Sequence, residues 1–363
     1  MQQLNNKSRN SSIELLRIIL MWMIVFYHFH THVLQYGSDS IIFRAIQIPI
    51  HIAVICFILI SGYFGINASI KGFSKLFSKI MFYALSIMLI VFLYGKFSGN
   101  PIYYSTNYIS QFVFDKGLAI NSSLFISRSP LWFIRSYLLL YIISPFLNNI
   151  LINQSKQERM LLLIVFGFIT FWIDLLRDDG MGGGKNLIDF CFLYFVGRSI
   201  KEYDIINKVS AKLNYVLYLC LTVLIVVLFV VFDGSVIGSI IGVLSFRYNG
   251  LFCILSAILF FMIFARMHFY SKWINNVSFS VFAVYLIHEH PLLNNYIYSI
   301  VDYWQQNNGI SILYAYLILY SITVIVISVI IDKITLPIQN ALASITSMFL
   351  LFWGRKLGMI ENE

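Results

Sequence analysis

The chain has 363 residues, of which 59% are hydrophobic, 17% aromatic and only 11% charged, with a formal net charge of +9. Soluble domains carry about 25% charged residues, so this composition excludes an ordinary soluble protein and indicates a membrane protein with many spans. The positive charge does not call for a nucleic-acid partner, because basic residues collect in the cytoplasmic loops of membrane proteins.

A membrane-spanning helix needs about 20 mostly apolar residues. About ten stretches meet or approach this length, which predicts an all-α integral membrane protein, a bundle of about ten transmembrane helices. The stretches are 13–34, 45–66, 77–97, 131–152, 159–176, 187–200, 213–232, 248–266, 276–293 and 310–332.

Lys and Arg residues predict the orientation of this bundle. With the N-terminus inside, the inner segments hold roughly twice as many of them as the outer segments, which favours a cytoplasmic N-terminus. The first apolar stretch has no small-residue cleavage site after it, so we expect it to be retained as a helix. Residues 1–335 are predicted to form the transmembrane domain. Residues 336–363 are predicted to form a cytoplasmic or interfacial tail, since the apolar run 342–353 is too short to span.

The first predicted helix, IELLRIILMWMIVFYHFHTHVL, carries ionisable residues at both ends. Arg17 and His28 are eleven positions apart, which at about 100° per residue leaves them nearly in line on one face. They lie roughly 16 Å apart along the axis. Ionisable groups inside a membrane cost free energy, so such a face predicts function. His28 is a candidate base, and Glu14 is placed to pair with Arg17; the alternatives are a hydrogen-bonded core histidine and a surface ion pair.

His28, His30 and His32 also suggest a metal site, but only His28 and His32 share a helical face. No acidic residue joins them on that face, so we predict no metal and interpret His30 and His32 as interfacial groups.

The second and third predicted spans supply candidate donor-binding residues. Ser61 and Gly62 permit close helix approach, and packing alone explains them equally well. Lys75 and Lys79 share a helical face on the predicted cytoplasmic side, where lysines can bind phosphates as point charges. The alternative for both is the general excess of basic residues on that side.

Three residues near the predicted outer surface are candidates for substrate binding. Arg135 lies just inside the boundary of the fourth span, where it can contact a substrate or extend to the interface. Tyr285 and His288 lie toward the outer end of the ninth span, and Glu289 follows them. This second polar cluster is either part of an outer site or structural.

Several stretches together resemble the membrane-bound acyltransferase-3 family. The most specific features are the Arg-x10-His spacing and the YLIH ending of the ninth span. The matching stretches are IELLRIILMWMIVFYHF at 13–29, AVICFILISGYF at 53–64, the basic start of the third helix at 71–80, LWFIRSYLLLYIISP at 131–145 and VSFSVFAVYLIH at 277–288.

The resemblance implies an acyl-CoA donor, commonly acetyl-CoA, from the cytoplasm and a surface-glycan hydroxyl as acceptor. Arg17 and His28 then take the required roles of the family's first helix, and Glu14 stands where the family usually has Asp. The start of the third helix is usually richer in Arg in this family, whereas here it carries Lys75 and Lys79. His28 is expected to act as general base or as acyl carrier.

The resemblance also implies a bacterial inner or plasma membrane, with membrane lipids, the glycan acceptor and glycan-assembly proteins as partners and no nucleic acid. The competing class is a flippase or exporter of lipid-linked glycans, since many spans with polar groups at mid-depth fit transport as well. No second half of the chain repeats the first, which favours acyl transfer.

Overall fold

The computed structural model describes residues 10–36, 40–98, 132–172, 182–290 and 293–357. Regular structure in these ranges is entirely helical, in agreement with the predicted fold class. The helices are α1 (Ser11–Tyr36), α2 (Ile41–Ile46), α3 (Ile48–His51), α4 (Ala53–Phe64), α5 (Ile70–Phe97), α6 (Trp132–Asn153), α7 (Lys156–Ile169), α8 (Leu187–Glu202), α9 (Ile205–Lys208), α10 (Ala211–Val231), α11 (Val236–Phe246), α12 (Leu251–Ala265), α13 (Lys272–Ser278), α14 (Val281–His288), α15 (Asn294–Asn307) and α16 (Ile310–Lys356).

Five helical segments in the described ranges are long and apolar enough to cross a membrane. A sixth span results if α11 and α12, which meet at a bend of 43°, are counted as one broken crossing. The predicted count of about ten is therefore not confirmed. The five segments are Ser11–Leu34, Phe43–Phe64, Ile70–Phe97, Ala211–Val231 and Ile310–Lys356.

Short and interrupted helices explain the difference. The predicted ninth span, 276–293, is divided between α13 and α14, which are 7 and 8 residues long. Helix α8 has 16 residues, fewer than the about 20 that a full crossing needs. In contrast, α16 continues through Pro337 and across the predicted domain boundary at 335, which itself stays a prediction.

Helix α1 lies at the centre of the bundle, in contact with α4 and with every helix from α12 to α16. Its fully buried side chains include Leu16, Leu20 and Phe29. The Ser12 hydroxyl anchors the start of α1, since its Oγ lies 2.9 Å and 2.7 Å from the carbonyl oxygens of Phe264 and Met267 at the end of α12. The central position of α1 brings both its polar ends inside the protein.

Two glycines bring α4 and α8 into direct backbone contact. A Cβ atom on Gly62 would lie 2.1 Å from the carbonyl oxygen of Tyr194, and one on Gly197 would lie 2.4 Å from that of Leu59. Small residues at such crossings allow helices in membranes to approach closely. The close approach expected at Gly62 is present, and it fixes the position of the neighbouring Ser61.

We expect Gly62→Val to destabilise the protein by about 2–3 kcal/mol, the upper part of the range for overpacked cores, because the carbonyl it meets belongs to a rigid helix. The measurement is the thermal unfolding midpoint of the detergent-solubilised protein. Gly309→Ala is the matched control, since a Cβ there meets no atom within 4 Å. Equal midpoints for the two variants would contradict the close contact.

Candidate active site

A cavity of about 330 Å³ lies beside α1. Both Arg17 and His28 line it, so the face that the sequence predicts for α1 is the face that borders this space. Helix α4 contributes Ser61, α6 contributes Tyr137 and α14 contributes Tyr285. Most of the remaining wall is aliphatic or aromatic, which leaves a few polar groups in apolar surroundings, as is typical of small-molecule sites.

At one end of the cavity, Arg17 is held by an acidic partner. Its Nη1 atom lies 3.2 Å from Glu14 Oε1, while Glu14 itself is buried and absent from the cavity wall. The Ser278 hydroxyl at the end of α13 donates a hydrogen bond to the same carboxylate. The Arg17 side chain remains 33% exposed, so its guanidinium is positioned by Glu14 yet accessible from the cavity.

At the other polar level of α1, His28 contacts two residues of the α14 terminus. Its Nδ1 atom lies 2.8 Å from Glu289 Oε1 and 3.0 Å from His288 Nε2. His288 is fully buried and Glu289 is 7% exposed, whereas the His28 side chain is 25% exposed. The three residues form a cluster in which only His28 belongs to the cavity wall.

The hydrogen bonds of this cluster indicate its proton positions. His288 Nδ1 lies 2.7 Å from the carbonyl oxygen of Val284, which can only accept, so His288 Nδ1 carries the proton. In the neutral ring His288 Nε2 is then an acceptor, and His28 Nδ1–H donates to it and to Glu289. In the neutral form of His28, Nε2 then carries the lone pair, and this atom has no hydrogen-bond partner among the described residues. This arrangement suits a base that faces the cavity.

The other two histidines come later in α1, and each contacts a residue of another helix. His30 Nε2 lies 2.6 Å from the hydroxyl of Tyr314, and His32 Nε2 lies 2.7 Å from Asp302. The His32 ring stacks on Tyr298 at 4.5 Å between ring centroids. Tyr298 in turn donates a 3.0 Å hydrogen bond to Glu289, which connects this packing to the cluster at His28.

The predicted site residues separate into three groups. Arg17, His28, Ser61 and Tyr285 line one cavity. Glu14 and His288 lie outside its wall and hold Arg17 and His28 through hydrogen bonds. Lys75, Lys79 and Arg135 do not line the cavity.

Lys79 has a partner that the sequence does not suggest. Its Nζ atom lies 2.9 Å from Asp332 Oδ1 in α16, and Asp332 is fully buried. The same carboxylate accepts hydrogen bonds from the hydroxyl of Tyr83 at 2.9 Å and from Gln339 at 3.1 Å. The charge of Lys79 is therefore neutralised within the protein, whereas Lys75, one turn earlier, is exposed.

Residues that the sequence analysis did not assign to the site also belong to it. Glu289 was recognised as polar but not as the partner of His28, and Tyr298 was not singled out. Trp132 also lines the cavity, next to Tyr248. His28 and His288 are 260 positions apart, so no spacing rule could have joined them.

The cluster at His28 also has the residue types of a metal site. The ligand-type atoms of His28, His288 and Glu289 lie within 4.8 Å of one another, the one such group found among the described residues. Its two short separations, 2.8 Å and 3.0 Å, are hydrogen-bond distances with an assigned donor and acceptor. Hydrogen bonding thus accounts for the arrangement without a metal ion.

The comparison with protein families agrees with this geometry. The acyltransferase-3 model, described as an acyltransferase domain, matches residues 10–333, which is most of the chain. The chain therefore belongs to the acyltransferase-3 family, and its apolar helices make it a membrane-embedded acyltransferase. Neither the curated proteins nor the solved structures contain a match to it. The family resemblance drawn from the Arg-x10-His spacing is confirmed.

We expect Lys79→Met to destabilise the protein by about 3–5 kcal/mol, because it leaves the Asp332 carboxylate buried without its cation. The double variant Lys79→Met/Asp332→Asn should recover most of this loss, since the amide retains hydrogen bonds from Tyr83 and Gln339. Thermal unfolding midpoints measure both effects. Lys75→Met, on the same helix and exposed, is the control.

Donor affinity separates this structural role from phosphate binding. The family resemblance implies an acetyl-CoA donor, so if Lys79 is structural, the double variant should bind that donor as tightly as the wild type does. A double variant with restored stability but weakened acetyl-CoA binding would show that Lys79 contributes to donor binding.

Proposed function

We propose that the protein transfers an acyl group, most simply acetyl, from cytoplasmic acetyl-CoA to a hydroxyl of an extracytoplasmic glycan such as a capsular polysaccharide or exopolysaccharide. The observation that carries the proposal is that Arg17 and His28, at two levels of one helix, line the same cavity. Arg17 is held there by Glu14, and one ring nitrogen of His28 is left without a protein partner among the described residues. Membership of an acyltransferase family supplies the reaction class.

The end of the cavity near Arg17 suits the donor. Arg17, Ser278 and Phe279 line it together, and the Lys333 Nζ atom lies 5.1 Å from the centroid of the Phe279 ring. Lys333 forms a 2.8 Å hydrogen bond with Asn276 on the exposed surface. Cations at this mouth favour a ligand with several phosphates, so the phosphates of acetyl-CoA bind here and its acyl arm enters between apolar walls.

His28 acts on the acceptor in this mechanism. Its Nε2 atom removes the proton of the glycan hydroxyl as the hydroxyl oxygen forms a bond to the thioester carbonyl carbon. The carbon–sulfur bond then breaks, and the proton on His28 passes to the departing thiolate of coenzyme A. Glu289 stabilises the imidazolium between the two steps and keeps Nε2 directed to the cavity, as carboxylate partners of catalytic histidines do.

Neutral hydroxyls supply the remaining polar groups around the reacting carbonyl. Ser61 Oγ lies 3.0 Å from the carbonyl oxygen of Phe57 and 3.3 Å from the Tyr137 hydroxyl. The Ser61 hydroxyl uses its hydrogen atom in the bond to the Phe57 carbonyl oxygen. The Tyr137 hydroxyl is therefore the member of this pair that can donate a hydrogen bond to a ligand. Tyr137 and Tyr285 are accordingly the candidates for stabilising negative charge on the thioester oxygen.

We expect His28→Gln to lower transfer by about 10²–10⁴-fold, the usual contribution of a general base, while leaving acetyl-CoA binding unchanged. Two measurements check this: O-acetyl content of the surface glycan by NMR, and transfer of label from acetyl-CoA by purified protein. Protein level and glycan amount are followed in parallel.

The controls distinguish the competing classes. Normal glycan with unchanged O-acetylation would remove His28 from the mechanism. A missing glycan with normal protein, together with no turnover of acetyl-CoA by the wild type, would indicate export of a lipid-linked glycan instead of acyl transfer. Label retained on the isolated protein would identify His28 as a covalent acyl carrier.

We expect Glu289→Gln to lower kcat by about tenfold to a hundredfold with little change in the KM for acetyl-CoA, because the amide is isosteric but does not stabilise the imidazolium. Steady-state kinetics of the purified enzyme measure both parameters. Glu202→Gln, a substitution in an ion pair with Arg198 and Arg159 away from the cavity, is the control.

A structural role for Glu289 would give a different result. Reduced protein yield, a lowered unfolding midpoint and an unchanged kcat in the surviving fraction would contradict catalytic positioning. Activity that is lost on treatment with a chelator and restored by Zn²⁺ would show that the cluster of His28, His288 and Glu289 binds a metal.

A further inference from the structure

Two loops, around Gly184 and Tyr248, meet beside the cavity wall. The backbone N–H of Tyr248 donates a 3.0 Å hydrogen bond to the carbonyl oxygen of Gly183. The Ser136 hydroxyl in α6 donates a 2.8 Å hydrogen bond to the carbonyl oxygen of Lys185. Gly184 has a φ of +90°, and a Cβ there would lie 2.6 Å from the backbone nitrogen of Asn249. The loop that carries Lys185 is therefore fixed against the cavity wall.

Lys185 lies above an aromatic part of this wall. Its Nζ atom is 5.5 Å from the centroid of the Trp132 ring, and Trp132 packs against Tyr248 at 5.3 Å between centroids. Both rings line the cavity. Cations above a Trp ring are attracted to its electron-rich face, so the exposed ammonium is held over Trp132. Lys185 does not itself line the cavity, and we use the term opening for this exposed place beside the cavity wall.

Among the residues that the structure describes, no acidic side chain matches the charge of Lys185. No carboxylate forms an ion pair with it in the described part of the chain. Neighbouring protein atoms partly desolvate the ammonium and lower the pKa of Lys185, although the residue remains exposed to a ligand. An anion bound here would stabilise the charged form and add a favourable interaction.

Ring contacts connect this opening to the level of His28. Tyr248 stacks on His51 at 4.3 Å, and His51 lies 5.1 Å from Tyr27, the residue before His28 in α1. Tyr248 and His28 both line the cavity, and these ring contacts join the wall beside Lys185 to the part of α1 that carries His28.

We propose that this opening binds an anionic sugar residue of the acceptor, with its carboxylate or phosphate on Lys185 and its ring against Trp132. This inference rests on the proposed function and names the acceptor class. Aromatic rings offer a flat apolar surface for the C–H face of a sugar, and a fixed ammonium adds selectivity for a negative charge. The hydroxyl to be acylated then points toward His28.

A membrane lipid headgroup has the same charge, but the position of Lys185 favours a sugar. The ammonium lies over Trp132, which lines the cavity, so an anion bound to Lys185 lies beside the cavity wall.

Saturation-transfer-difference NMR on the purified, detergent-solubilised protein tests the proposal without acetyl-CoA. The probes are methyl glucuronide, glucose 6-phosphate and neutral methyl glucoside. We expect both anionic sugars to bind wild type about fivefold more tightly than methyl glucoside, the effect of one exposed charge pair. Lys185→Gln should abolish this preference and leave methyl glucoside binding unchanged, and Trp132→Leu should weaken all three. Lys201→Gln is the control, since Lys201 lies over Tyr63 at a comparable 5.8 Å away from this opening.

Equal affinity for neutral and anionic sugars in the wild type, or a preference that persists in Lys185→Gln, would overturn the proposal. The proposal would also be overturned if Lys185→Gln weakened the binding of phosphatidylglycerol and left sugar binding unchanged. That result would show that Lys185 binds a lipid headgroup. A stronger response to the phosphate or to the carboxylate sugar identifies which anion the acceptor carries.

Label transfer from acetyl-CoA, measured separately, distinguishes the two hypotheses. A charge preference in binding without any transfer would refute the proposed function alone. Transfer to neutral and anionic sugars with equal KM would refute the acceptor class alone.

Discussion

The hydrogen bond between His28 and the Glu289 carboxylate is the interaction on which the rest of the site depends. A carboxylate inside an apolar bundle is costly unless it is paired and hydrogen-bonded, and here His28 and the Tyr298 hydroxyl supply its partners. The pairing requires α14 to end at the depth of His28, and it fixes the ring so that one nitrogen remains for the cavity. A single contact thus stabilises the carboxylate and orients the His28 ring at the cavity wall.

The same segment supports α1 at two levels. Ser278 at the end of α13 hydrogen-bonds Glu14, and His288 at the end of α14 contacts His28, so α13–α14 runs parallel to α1. The interruption between Ser278 and Val281 lets the segment reach both levels with fewer residues than α1 uses between them. A continuous helix would satisfy the length rule for a membrane span, but it would not necessarily place both polar contacts. The break that reduces the span count therefore contributes to the site.

The sequence predicts what depends on neighbours along one helix. The spacing of Arg17 and His28, the pairing of Glu14 with Arg17 and the close approach at Gly62 all follow from helical geometry, and the structure contains each of them. Glu289 as the partner of His28 depends on the way distant helices pack, for which periodicity carries no information. The number of spans also could not be predicted from the sequence, because the hydropathy of a stretch does not show where a helix is interrupted.

Lys79 shows how a correct local pattern leads to a different role. Its basic character and position on α5 favour a phosphate site, but a buried carboxylate 253 positions away, Asp332, takes up its charge. Arg17 borders the cavity instead, and Lys185 lies over Trp132, a residue of the cavity wall. In the reaction proposed above, the uncharged thioester occupies the apolar part of the cavity, the phosphates of the donor lie near Arg17 and the anion of the acceptor lies near Lys185. Under that proposal, the negative charges of the two substrates stay apart while their reacting groups come together at His28.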